Sequence, residues 1–290
     1  MNRLNSLKLI VPMILILAFL VGCGGSVSVP TTATVTKLPE LTPTPEPTPT
    51  LEPPKKLLFI GNSVLYTNDG VEHHLAELAS SADPPIVIEA ESSTRGGASL
   101  EGLWKFTKSA ERIQNGAYDI VVLQGDIQLS TAWKESESVD SFYEYARLFD
   151  AEIKESGAET VLYMAWPFED GFTKPITYEE LVRAHRDIAA ELGADVAPVA
   201  LAMQRSAEER PDLDMFGGDG VHPSIYGTYL AANVVYATIY GESPEGLAYL
   251  PPEGFYMLSD RSDIDSISEE AAAFLQRVAW ETVQDYQAQQ

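Results

Sequence analysis

A serine, a histidine and an aspartate stand in this sequence at spacings from which a nucleophilic relay can be assembled. Ser63 follows the apolar run Leu57-Leu58-Phe59-Ile60 and the pair Gly61-Asn62, where a buried strand should end and the chain should turn. Near the far end, Asp219-Gly220-Val221-His222-Pro223-Ser224 sets a carboxylate three residues before an imidazole, close enough on one tight turn for the first to hold the second. A Gly-x-Ser turn is often only a turn, and His-Pro before a helix is often only a capped start. Together the three supply nucleophile, base and orienting group, which is the chemistry of acyl hydrolysis. Pro223 is a favoured first helical residue, so the His222 imidazole is expected at a helix N-terminus.

These residues need a scaffold, and the pattern around them alternates between strand and helix. Residues 57–60, 85–90, 118–123, 160–165 and 196–201 read as strands, the last of these closing the set. Residues 70–81, 100–115, 140–156, 178–192, 225–239 and 266–287 carry apolar side chains at helical spacing, and Arg95-Gly96-Gly97 reads as a loop. Alternation of this kind predicts an α/β fold, a central parallel sheet of about five strands covered on both faces by helices. A flavodoxin-like strand order is the default expectation. A hydroxyl at the mouth of the first strand then stands where ligands bind in such sheets.

Four segments occur in a telling order. Phe59-Ile60-Gly61-Asn62-Ser63, Gly96-Gly97, Val121-Val122-Leu123-Gln124-Gly125 and Asp219-x-x-His222-Pro223-Ser224 resemble the four signature blocks of the SGNH (GDSL-type) hydrolase superfamily, and the likeness spans the whole domain. The resemblance implies a three-layer α/β/α fold without cofactor. It implies Ser63 as nucleophile, Asp219 and His222 as its triad partners, and an oxyanion hole from the backbone of Ser63 and Gly97 with the Gln124 side chain. Asn62 stands where the name-giving motif has Asp. The third block, usually Gly-x-Asn-Asp, is here Gln124-Gly125-Asp126, closer to the Gln-Gly-Glu of carbohydrate acetylesterase branches, which points to acetylated sugars as substrates.

Asn62, Gly96, Asp126 and Trp166 are candidates to line the substrate site. Trp166 follows a strand at its C-terminal edge and either floors a sugar site or closes the core. His73-His74 has neither a Cys partner nor an HExxH pattern, so no metal site is expected there. His185 reads as a surface helix residue. Tyr226, Tyr229, Tyr236 and Tyr240 read as packing residues of the helix after His222.

The chain begins with Arg3 and Lys8, an apolar stretch from Leu9 to Val21, and Leu20-Val21-Gly22-Cys23. This resembles a bacterial lipoprotein signal peptide over residues 1–22, with Cys23 the lipidated N-terminus of the exported protein. The alternative is an uncleaved anchor, but about 13 apolar residues fall short of the ~20 that a spanning helix needs. Residues 23–55, centred on Thr42-Pro43-Thr44-Pro45-Glu46-Pro47-Thr48-Pro49-Thr50, lack the apolar content to fold and read as a spacer. Residues 56–290 form the hydrolase-like domain. Of 19 basic and 43 acidic residues, four and three fall in residues 1–55, which leaves the domain at about −25, a charge that repels nucleic acid. Cys23 is the only cysteine, so no intrachain disulfide exists.

The expectation is a lipid-anchored, extracytoplasmic serine esterase for short acyl groups on carbohydrate, tethered to the membrane through Cys23. Two rivals remain: a catalytically inactive glycan-binding lipoprotein, and a lipase- or thioesterase-like enzyme for longer acyl chains.

Overall fold

The computed structural model describes residues 53–126, 128–131, 138–167, 173–252 and 266–289. The signal segment, Cys23 and the Pro/Thr-rich spacer up to residue 52 lie outside the described residues. β1 (Lys56–Gly61) leads through α1 (Ser63–Tyr66) and α2 (Val71–Ser80) to β2 (Glu89–Thr94). Next come α3 (Leu100–Phe106), α4 (Ser109–Gly116), β3 (Ile120–Gln124), β4 (Gln128–Thr131), α5 (Val139–Glu155), β5 (Glu159–Tyr163) and β6 (Thr173–Pro175). The chain continues with α6 (Tyr178–Leu192), β7 (Asp195–Ala197), α7 (Val199–Glu209), α8 (Ile225–Tyr240) and α9 (Glu269–Gln287).

Five strands form one parallel sheet in the order β2-β1-β3-β5-β7, the flavodoxin-like arrangement. β1 is interior, with Phe59 opposite Ser92 on one side and Val122 on the other. Leu57, Leu58, Phe59 and Ile60 are fully buried because both faces of the strand are covered. Each such side chain contributes about 1.5–3 kcal/mol of transfer free energy. Right-handed crossovers put α2 on one face and α3 to α6 on the other. The packing agrees: α2, α7, α8 and α9 cluster together, and α5 touches α3, α4 and α6. α8 is apolar around most of its circumference and is buried from Ile225 to Thr238 apart from Tyr226.

The sheet departs from the sequence expectation at both edges. The aliphatic run at 85–90 is not the second strand; β2 starts at Glu89 and is polar, and Val87 is 78% exposed. An edge strand needs less apolar cover, and its charges guard it: Tyr118 donates to Glu91 at 2.8 Å and Arg112 pairs with the same carboxylate. At the far edge the strand expected over 196–201 stops at Ala197. Pro198 ends it and caps α7, whose buried Val199, Ala200, Ala202 and Met203 prolong the apolar run in helical form. The helix expected over 100–115 is two, broken where the Thr107 and Ser109 hydroxyls bond each other at 2.7 Å. The antiparallel pair β4 and β6 was not anticipated from sequence.

Candidate active site

Ser63 is the first residue of α1, directly beyond the C-terminal end of β1. Asn62 caps that one-turn helix: its Oδ1 accepts the Val64 N–H at 3.1 Å and its carbonyl accepts the Leu65 N–H at 3.1 Å. The Ser63 N–H is the remaining amide of this first turn, with no acceptor inside the helix. Gly61 permits the turn to approach β3, since a Cβ there would stand 2.5 Å from Gln124 Oε1 and 2.5 Å from Leu65 Cδ1. The Thr67 N–H then bonds the Ser63 carbonyl at 3.0 Å and closes α1.

The loop from Asp214 to Ser224 brings the other two residues. Phe216 and Pro223 pair across it as an antiparallel bridge, and the Gly217 N–H bonds the His222 carbonyl at 2.7 Å. Asp219 Oδ1 accepts the N–H groups of Val221 and His222 at 2.9 and 3.0 Å, so the aspartate shapes the turn that carries the histidine. Its other oxygen, Oδ2, lies 2.6 Å from His222 Nδ1, and His222 Nε2 lies 2.7 Å from Ser63 Oγ. Partial burial pushes the Asp219 carboxyl up, but donation from the imidazole and the two N–H groups outweighs it and holds the group below the usual aspartate range. An ionised carboxylate only accepts, so Nδ1 carries the ring proton and Nε2 is left to take the hydroxyl proton of Ser63.

His222 does not sit at the helix terminus itself. The cap of α8 is Ser224, whose Oγ accepts the Gly227 N–H at 3.3 Å, and the helix starts at Ile225. Pro223 lies outside the cap, in the backbone bridge to Phe216. The bond from the Gly217 N–H to the His222 carbonyl and that from the Ser224 N–H to the Met215 carbonyl, 3.0 Å, close around it, and the imidazole is correspondingly further from the helix end.

The loop after β2 is tied to the nucleophile turn at two points, Arg95 N–H to the Gly61 carbonyl at 3.1 Å and Asn62 Nδ2 to the Ala98 carbonyl at 3.2 Å. Between them Gly96 and Gly97 are exposed, Gly97 with φ 64, a left-handed conformation that glycine adopts without strain.

Three candidates hold places other than the expected ones. Asn62 is 2% exposed and its amide is spent on Val64 and Ala98, so it builds the turn and does not line the substrate site. Gln124 is fully buried; its Oε1 accepts the Asn62 N–H at 2.8 Å and its Nε2 donates to the Gly125 carbonyl at 2.8 Å. Those two partners fix the amide orientation, and the oxygen, not the donor expected of an oxyanion hole, faces the nucleophile turn. Trp166 is 3% exposed, meets Phe216 edge-on at 5.6 Å and donates Nε1 to the Val221 carbonyl at 3.1 Å. It is no sugar platform. Asp126 is half-buried just beyond β3.

His74 is buried, with Nε2 2.7 Å from the Asn68 carbonyl and Nδ1 2.9 Å from the Tyr249 hydroxyl; burial lowers its pKa, and both ring nitrogens are occupied. His185 corrects the surface reading. It lies on the inward face of α6 with Leu181, Ile188 and Leu192, 4.9 Å from the Phe142 ring. Two residues escaped the sequence reading. Tyr66 ends α1 with its hydroxyl 3.0 Å from where a Gly96 Cβ would be, and Asn68 adopts φ 57 in the turn before α2. The turn signal Asn68-Asp69-Gly70 was visible, but not its partner.

No family model and no curated protein matches the chain. Solved structures do. A DUF4886 family protein from Bacteroides uniformis superposes with a TM-score of 0.57 at 18% identity, covering 79% of this chain and 95% of that one. A lipase/acylhydrolase from Enterococcus faecalis gives 0.52 at 19% identity, over 64% of this chain and 96% of that one. An acetylxylan esterase from Geobacillus stearothermophilus gives 0.51 at 18% identity, over 64% and 94%. The fold is the one these solved structures share. In that fold the end of β1 and the loop before α8 are brought to one edge of the sheet, which is where Ser63 and His222 meet.

Proposed function

We propose that the chain is a serine esterase that removes short acyl groups, acetyl above all, from carbohydrate. The observation that carries this is the continuous relay Ser63 Oγ, His222 Nε2, His222 Nδ1, Asp219 Oδ2, with contacts of 2.7 and 2.6 Å. In the first half-reaction Ser63 Oγ attacks the ester carbonyl carbon while its proton passes to Nε2; the C–O bond to the alcohol breaks and the proton leaves with that alcohol. Water repeats the sequence on the acyl-enzyme and releases the acid. The N–H groups of Ser63 and Gly97 are the donors for the oxyanion, each worth about 3 kcal/mol in such a site.

The nucleophile is half-exposed and the Gly96-Gly97 loop is at the surface, an arrangement suited to an acyl group displayed on a polymer. The strong negative charge favours a neutral substrate over a polyanion. The acetylxylan esterase among the structural relatives supports the same reading. An ordered relay with a base aimed at a hydroxyl has no use in a purely glycan-binding protein. We propose further that Cys23 is lipidated and that the enzyme works outside the cytoplasm on its Pro/Thr-rich tether.

Purified protein is to be assayed on p-nitrophenyl esters of increasing chain length and for acetate release from acetylated polysaccharides, with Ser63→Ala as control. Activity falling steeply beyond the shortest esters and absent in Ser63→Ala is expected. A preference for long chains would move the assignment to a lipase, and an active Ser63→Ala would overturn it. Mass spectrometry of Cys23 from the native host tests the tether, with an unmodified thiol refuting it.

A further inference from the structure

Three successive peptide carbonyls around the base are each taken by a donor from another part of the fold. Trp166 Nε1 donates to the Val221 carbonyl at 3.1 Å, the Gly217 N–H to the His222 carbonyl at 2.7 Å, and Asn68 Nδ2 to the Pro223 carbonyl at 2.9 Å. Two of the three donors are buried side chains, Trp166 at 3% and Asn68 at 5% exposure. They come from the end of β5 and from the turn behind Ser63. Asn68 is itself fixed: its amide also reaches Thr228 Oγ1 at 2.9 Å, and its carbonyl accepts from buried His74 at 2.7 Å.

We propose that Asn68 and Trp166 are positioning residues that aim the His222 imidazole by clamping the backbone before and after it, at Val221 and Pro223. The proposal rests on the esterase reading of the site. Trp166 holds the Val221 carbonyl and with it the peptide plane that enters His222, the Gly217 N–H holds the plane that leaves it, and Asn68 holds the plane after that, so that together they fix the direction of the His222 Cα–Cβ bond. A change of about 15° in that direction displaces Nε2 by about 1 Å, and a misplacement of about 1 Å costs on the order of 100-fold in rate. Asn68 also ties the aim of the base to the position of the nucleophile, because Thr67, its neighbour, donates its N–H to the Ser63 carbonyl at 3.0 Å. Neither residue touches the Ser63 hydroxyl.

The test uses Trp166→Phe, which keeps an aromatic ring against Phe216 and removes only the donor, beside Asn68→Ala and the Ser63→Ala control. For Trp166→Phe and Asn68→Ala, kcat is expected to fall about 10- to 100-fold while KM changes less than about threefold. The downfield proton resonance of His222 Nδ1 should shift or broaden in both, a signature that loss of stability alone does not move. If Asn68→Ala fails to fold, Trp166→Phe decides. Wild-type kcat in Trp166→Phe with Ser63→Ala inactive overturns the clamp, as does a raised KM at unchanged kcat. An active Ser63→Ala overturns the esterase reading instead, so the two failures are distinct.

Discussion

The side-chain oxygen of Gln124 accepts the main-chain N–H of Asn62 at 2.8 Å, so the last residue of β3 holds the turn that presents Ser63. Gln124→Ala strands that buried N–H, at a cost of about 1–3 kcal/mol. For a domain of this size the expected fall in Tm is roughly 3–10 °C, with kcat falling in the same variant as the turn relaxes. Thermal unfolding and steady-state kinetics on one preparation check this. An unchanged Tm with a 100-fold loss of kcat would return Gln124 to the role of oxyanion donor.

Gly61→Ala attacks the same contact from the other strand. Its Cβ would stand 2.5 Å from Gln124 Oε1 and 2.9 Å from Gln124 Cβ, in a fully packed interior. Overpacking of this kind costs about 1–3 kcal/mol, and here the strain falls on the nucleophile turn. Denaturant unfolding should show the loss, and activity should drop with it. A variant as stable and active as wild type would mean that the turn is not held by close approach.

What was legible in the sequence is what local chemistry decides. Gly61-Asn62-Ser63 after a fully apolar run, and Asp219 three residues before His222, each encode their own turn, so the relay and the parallel core around β1 and β3 were readable. β2 was not, because an edge strand guarded by Glu91 and Arg112 does not look apolar. α7 was hidden since Pro198 converts a continuous apolar run from strand to helix without changing its hydrophobicity. Gln124 and Trp166 could be placed but not oriented, and Asn68 escaped the reading altogether. Which end of an amide faces the site, or which carbonyl an indole finds, depends on partners 36 or more positions away, as in the bonds from Asn62 to Ala98 and from Asn68 to Pro223.

His185 sets an acid limit on stability. Burial pushes its pKa down to about 4 in the folded protein, against about 6.5 when exposed. Between those values the unfolded chain binds the extra proton, so stability is lost as pH falls from about 6.5 to 4, and nothing is contributed above that window. The full effect is on the order of 3 kcal/mol, and buried His74, also shifted down, acts in the same direction. Urea unfolding of wild type and His185→Leu across pH 4 to 7 should show a shallower acid slope in the variant. Parallel slopes would show that His185 does not resist protonation.

Asp219 performs two tasks that substitution can separate. Oδ1 accepts two N–H groups and shapes the turn, while Oδ2 holds the imidazole. Asp219→Asn can keep the oxygen on Val221 and His222 but turns an NH₂ toward Nδ1, which then must accept. The ring proton moves to Nε2, and the base can no longer take the proton of Ser63. The expected result is a loss of kcat of about 10³- to 10⁴-fold with Tm and KM little changed. Asp219→Ala removes the opposing donor together with the turn contacts, so it should lower Tm yet retain more activity than Asp219→Asn. An Asp219→Asn enzyme within tenfold of wild type would show that the histidine is oriented by the groups clamping its backbone and not by its carboxylate.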